Sequence, residues 1–123
     1  MRFSRLERIA SAVVEATQQK LPPEIRELAR AVPVLHQASP DESVLAEGFD
    51  TDLLGLFAGT PFDAEVSQFQ PDPPHIIIYI NNIWDYAAAN EADFRAEVRL
   101  TYLHELGHYF GWDEGQLAAR GLD

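Results

Sequence analysis

His104-Glu105-Leu106-Gly107-His108-Tyr109-Phe110-Gly111-Trp112-Asp113-Glu114 is the stretch on which the reading of this chain turns. It closes an apolar run (Phe94, Val98, Leu100, Leu103, Leu106, Phe110) spread over more than one helical face, so a largely buried helix is expected from Glu91 to about Phe110. Asn90 is placed to cap it, with Asp93 at the third position, and Gly111 is a natural left-handed stop. Two histidines at i and i+4 share one face of such a helix, one turn apart. Both rings can then reach one metal ion at about 2.0–2.1 Å. Glu105 follows the first histidine, so its carboxylate falls beside the metal and can take a proton from the water that the metal activates. Two buried histidines and a buried glutamate on an apolar helix would be costly without a metal to pair them.

The residues just downstream supply the third ligand. A catalytic zinc takes three protein ligands and keeps one position open. The helix offers two, so the third must arrive from another direction. Gly111 lets the chain reverse without steric cost, and three residues later Glu114 can point back. The whole reads H-E-x-x-H-x-x-G-x-x-E, the spacing of the metzincins with glutamate in place of their third histidine. Carboxylate oxygen binds zinc at about 2.0–2.2 Å, so the exchange is chemically sound. Asp113 is the nearest competitor; it comes one residue early on a shorter arm, and Glu114 is favoured. A glutamate on a further helix downstream has no room, since fifteen residues follow His108. His36 and His75 are distant and read as structural or surface histidines. For a donor to the developing oxyanion, Tyr79, Tyr86, Tyr102, Tyr109 and His75 are the candidates, with nothing in the sequence to separate them.

Working towards the N-terminus, His75 to Ile80 is the strongest strand signal, and its continuous apolar run implies cover on both faces. Asn82 is placed to cap a short helix from Ile83 to Ala89. Residues 53–57 read as a strand, with a turn at Gly59-Thr60-Pro61 and a possible short strand from Val66 to Phe69. Residues 37–52 read as loop. Val32 to Leu35 reads as an edge strand, because Pro33 gives up a ladder donor. Pro23 can open a helix that runs to Arg30. Ser4-Arg5-Leu6-Glu7 has capping-box spacing ahead of Leu6, Ile9, Val13 and Thr17, an amphipathic helix over residues 5–19. Helices, then strands, then helices argue for an α+β fold with a small mixed sheet packed on the buried final helix.

The chain has 123 residues, the length of one domain, taken as 1–123. It has no cysteine, which removes thiolate metal sites, disulfides and cysteine nucleophiles. The net charge of −11 resides in residues 31–94, which hold eleven Asp and Glu and neither Lys nor Arg. Nucleic acid is therefore not expected as a partner, because phosphate binding needs a basic footprint. The acidic stretch reads as a solvated face. No apolar run approaches the ~20 residues of a membrane span. The charged N-terminal helix lacks the unbroken apolar segment of a signal peptide, so cytoplasmic location is expected.

The chain resembles the small bacterial zincin-like metallopeptidases, minimal zincins of the actinobacterial type. Leu103 to Gly111 carries the likeness most specifically. The helix ending in Leu21-Pro22, the Leu54-Gly55-Leu56-Phe57-Ala58-Gly59-Thr60-Pro61 segment and the Ile76 to Ile80 strand support it. The resemblance implies a minimal zincin-like fold with zinc on the active-site helix. The chain departs from metzincins in having no Met-turn, since Met1 is its one methionine, and its 123 residues are expected to lack the C-terminal subdomain that walls the cleft of larger zincins. The expected function is zinc-dependent peptide hydrolysis on a peptide or unfolded-protein substrate, with Glu105 as general base and His104, His108 and Glu114 on the metal. The alternative is a zinc-binding module without turnover that acts through protein interaction.

Overall fold

The computed structural model describes residues 1–62 and 72–122. The elements run α1 (Phe3–Gln19), α2 (Pro23–Arg30), β1 (Val34–Gln37), α3 (Glu42–Ala46), β2 (Gly55–Ala58), β3 (His75–Tyr79), α4 (Ile80–Tyr86), α5 (Glu91–Phe110) and α6 (Glu114–Ala119). The three strands form one mixed sheet in the order β1-β3-β2, parallel between β1 and β3 and antiparallel between β2 and β3. This is the α+β arrangement expected, a small sheet with α5 packed across β2 and β3.

The core follows from the apolar pattern. β3 is buried throughout its Ile76 to Tyr79 run, as a strand covered on both faces should be. Ile76 and Ile78 face the main cluster with Leu6, Ile9 and Val14 of α1 and with Phe94, Val98 and Leu106 of α5. α5 buries residues on several faces, although Leu100, expected among its apolar contacts, stands exposed. Its ends match the sequence reading. Asn90 Oδ1 accepts from the Asp93 N–H at 2.9 Å, and Gly111 terminates the helix at φ 75°. β1 holds the expected edge position, shifted two residues so that Pro33 precedes the strand and its carbonyl accepts from Ile76 N–H.

Several boundaries differ from expectation. α1 begins at Phe3 behind an uncapped Arg2, whose carbonyl already accepts from Arg5 and Leu6 N–H; Ser4 lies inside the first turn and forms no capping box. The 37–52 segment contains α3, whose start is fixed by Asp41 accepting from the Val44 N–H. α4 starts at Ile80, so Asn82 is within the helix and does not cap it. Its amide donates instead to the carbonyls of Thr51 and Leu53, tying the loop before β2 to α4. α6 was not expected; Asp113 and Gln116 form a full capping box at its start. The possible strand from Val66 to Phe69 lies outside the described residues. Among the described residues no helix is long and apolar enough to cross a membrane.

Candidate metal centre

The C-terminal half of α5 carries both histidines on one face because four residues make roughly one turn. The His104 and His108 rings lie 4.6 Å apart between centroids. Glu105 is on the same turn but rotated inward and is buried, while both histidines are half exposed. One ligating atom from each of His104, Glu105 and His108 falls within 4.8 Å of the other two, a group able to hold a metal ion.

Each histidine has a carboxylate on Nδ1. Glu105 Oε1 lies 3.0 Å from His108 Nδ1, and Glu114 Oε1 lies 2.6 Å from His104 Nδ1. A carboxylate only accepts, so a neutral ring in this arrangement carries its proton on Nδ1 and leaves the Nε2 lone pair free. Carboxylate partners of this kind orient metal-binding imidazoles in known metal sites. Two imidazoles and nearby carboxylates, with no thiolate, are a donor set that suits zinc.

The reversal after α5 explains how Glu114 gets there. Gly111 adopts the left-handed conformation, and the Gly111 and Trp112 N–H groups close on the carbonyls of His108 and Gly107. α6 then starts at once, with Glu114 as its first residue. Asp113, the competing third ligand, is committed elsewhere: its Oδ1 accepts from the Gln116 N–H at 2.8 Å. Glu114 is brought to His104 but lies outside the group of three, on an exposed side chain. A cavity of about 510 Å³ opens between the two helices, lined by His104, His108, Gly111, Trp112, Asp113, Glu114 and Leu117.

The other expected residues are elsewhere. None of the four tyrosines lines this cavity among the described residues. The Tyr102 hydroxyl accepts from Gln18 in the core, where burial raises its pKa. The Tyr79 hydroxyl is buried, and burial followed by the nearby Asp41 charge pushes its pKa up. Tyr86 is exposed, and Tyr109 packs its ring on Phe57 and Phe62. His75, partly buried at the start of β3, has Nδ1 3.1 Å from the Pro73 carbonyl, and His36 is partly buried beside Glu7; neither lines this cavity nor joins the group of three. Sequence reasoning missed the backbone N–H of Phe57, which donates to Glu105 Oε1 at 3.0 Å. A main-chain donor leaves no residue-type signal; the glycine two residues earlier was the only trace.

Comparison with known proteins agrees with this geometry. Residues 29–122 match the sequence model of the zincin-like metallopeptidase family. The match spans most of the chain and includes α5 and the carboxylates around it, so the chain belongs to that family. No curated protein matches it significantly.

Proposed function

We propose that the chain is a zinc-dependent peptidase in which His104, His108 and Glu114 hold the metal and Glu105 is the general base. The observation that carries this reading is the convergence of donor atoms from His104, Glu105 and His108 on one turn of α5. Glu114, which the Gly111 reversal brings to His104 Nδ1, is proposed as the third ligand from its spacing and would turn from that ring to the metal. Zinc bound there would supply a Lewis acid that polarises the scissile carbonyl and acidifies a water.

The protein's own part is positional. Glu105 is buried and doubly held, by Phe57 N–H and His108 Nδ1, so its carboxylate is fixed against His108 and not free in solvent. From there it accepts the proton of the attacking water and returns it to the leaving amine. Trp112 and Leu117 give the cavity an apolar wall against which a substrate side chain can pack. Peptide segments and unfolded proteins are the substrates proposed, because the histidines are open to solvent and no large wall encloses them among the described residues. With a net charge of −11, nucleic acid is not a partner of this reading.

Glu105→Gln tests the mechanism. It keeps the shape and the hydrogen-bonding reach but cannot take the proton. Zinc content should stay near that of the wild type while peptide hydrolysis falls by about 10²–10⁴. Loss of zinc from this variant would make Glu105 a ligand. Zinc-loaded wild type that cleaves no member of a broad panel of unfolded peptides would favour the binding-module alternative.

A further inference from the structure

We propose that β2 is the clamp that fixes the Glu105 carboxylate, and that Gly55 is the positioning residue that makes the clamp possible. The inference rests on Glu105 being the general base, and it assigns the Gly55 to Pro61 segment a task in that same site.

The register of the sheet turns the relevant N–H towards the helix. Leu54 accepts from Tyr79 N–H and Leu56 lies opposite Ile77, so Gly55 and Phe57, alternating with them, direct their N–H groups away from β3. Phe57 N–H finds Glu105 Oε1 at 3.0 Å. A bond from a neutral donor to a carboxylate is among the stronger kinds. It bridges 48 residues of sequence, between an edge strand and the active-site turn.

Such a bond requires strand and helix to approach more closely than side chains ordinarily allow. At Gly55 an added Cβ would stand 2.5 Å from Thr101 Cγ2, 3.3 Å from the Ile77 carbonyl oxygen and 3.4 Å from Glu105 Cγ. Thr101 is buried on α5, so its methyl can swing aside only by a change of χ1 rotamer among packed neighbours. The first of these distances cannot be tolerated; the strand would have to move off α5. Beyond the strand the chain is pinned to α5 by Phe62 N–H donating to the Tyr109 carbonyl at 2.9 Å. Displacement at Gly55 would therefore tilt β2 about that far anchor and open the Phe57–Glu105 bond first. A shift of about 1 Å in a catalytic group can cost about 10²-fold in rate.

The test uses Gly55→Ala, Thr101→Ala and the double variant, in the full chain, with and without added zinc. Amide hydrogen exchange at Phe57, read by NMR, reports the clamp directly and needs no activity. Gly55→Ala should speed that exchange by about tenfold or more. Zinc affinity should hold, and kcat should fall about 10²-fold with KM little changed. Thr101→Ala alone should leave all three near wild type. The double variant removes the methyl that the new Cβ meets, and should recover both Phe57 protection and kcat. Glu105→Ala, which removes the acceptor, should expose the same amide. If Phe57 stays protected in Gly55→Ala, or if the double variant fails to recover protection or fails to fold, the clamp is overturned. If wild type cleaves nothing while Gly55→Ala still exposes Phe57, the peptidase reading falls and the clamp stands.

Discussion

Among the described residues two cavities of similar size are lined by histidine, and only one of them gathers the donors that a metal ion needs. Beside β1, a cavity of about 480 Å³ is lined by His36 together with Glu15, Gln18 and Arg30. Beside the end of α5, the cavity of about 510 Å³ holds His104 and His108. His36 has one carboxylate, Glu7, at 3.8 Å, and its Nε2 is buried without a hydrogen-bond partner among the described residues. Burial lowers the His36 pKa, with Glu7 opposing that shift less strongly. At the other cavity two imidazoles and a carboxylate converge within 4.8 Å, and Glu114 stands 2.6 Å from His104. Volume and a histidine do not make a site; convergence of donors does, and a helix that repeats histidine every fourth residue produces it cheaply.

The strongest way to break this comparison is to remove a histidine from each side. His104→Ala or His108→Ala should weaken zinc binding by more than about 100-fold, beyond the 10–100-fold of losing an outer partner. His36→Ala should leave affinity unchanged. Isothermal titration with zinc reads all three, and an effect of His36 comparable to that of His104 would erase the distinction.

Zinc itself should then stabilise one cavity's surroundings measurably. At about 100 times its dissociation constant a ligand adds about 2.7 kcal/mol. Chelation should therefore lower the Tm by several degrees but leave the far-ultraviolet circular dichroism of a folded α+β chain, because the core of α1, β3 and α5 does not run through the metal. An unfolded apoprotein would contradict this.

A finer cut separates the two neighbouring acids. Asp113→Ala removes a cap that Gln116 uses and should cost about 1 kcal/mol, or about 4 °C in Tm, with zinc affinity retained. Glu114→Ala should do the reverse, lowering zinc affinity while the Tm of the apoprotein stays put. The opposite pattern would exchange their roles.

The smallest effect belongs to His36. Its folded pKa is depressed below 6.5, so the unfolded chain takes up the proton first. That contribution to stability is intact above pH 6.5 and is lost as pH falls through the folded value. His36→Gln, which does not titrate, should lose less stability than the wild type between neutral pH and about pH 5, by urea titration at each pH. A wild-type curve that gains stability on acidification over this range would reverse the sign.

How much of this was legible beforehand depended on whether a feature writes itself in side-chain pattern. The bounds of α5 were legible, because its Asn90 cap and Gly111 stop act locally, while its apolar pattern overcounted by one at the exposed Leu100. The two histidines followed from their spacing alone. α6 was hidden behind the ligand question: Asp113 was weighed as a metal donor when its spacing to Gln116 already spelled a capping box. Asn82 misled because its side chain serves a tertiary contact with Thr51 and Leu53, which no local rule reports. The hold on Glu105 was invisible for a deeper reason. Its donor is a main-chain N–H on a distant strand, and only the fold brings the two together.

The proposed function stands or falls on whether α5 binds one metal ion through its paired histidines. Zinc-to-protein ratio by elemental analysis, after incubation at neutral pH and extensive dialysis, tests it most directly. One zinc per wild-type chain is expected, held with a dissociation constant of about micromolar or tighter, and none on the folded His104→Ala, His108→Ala double variant. A folded wild type that retains no zinc, or a double variant that retains it, would contradict the account.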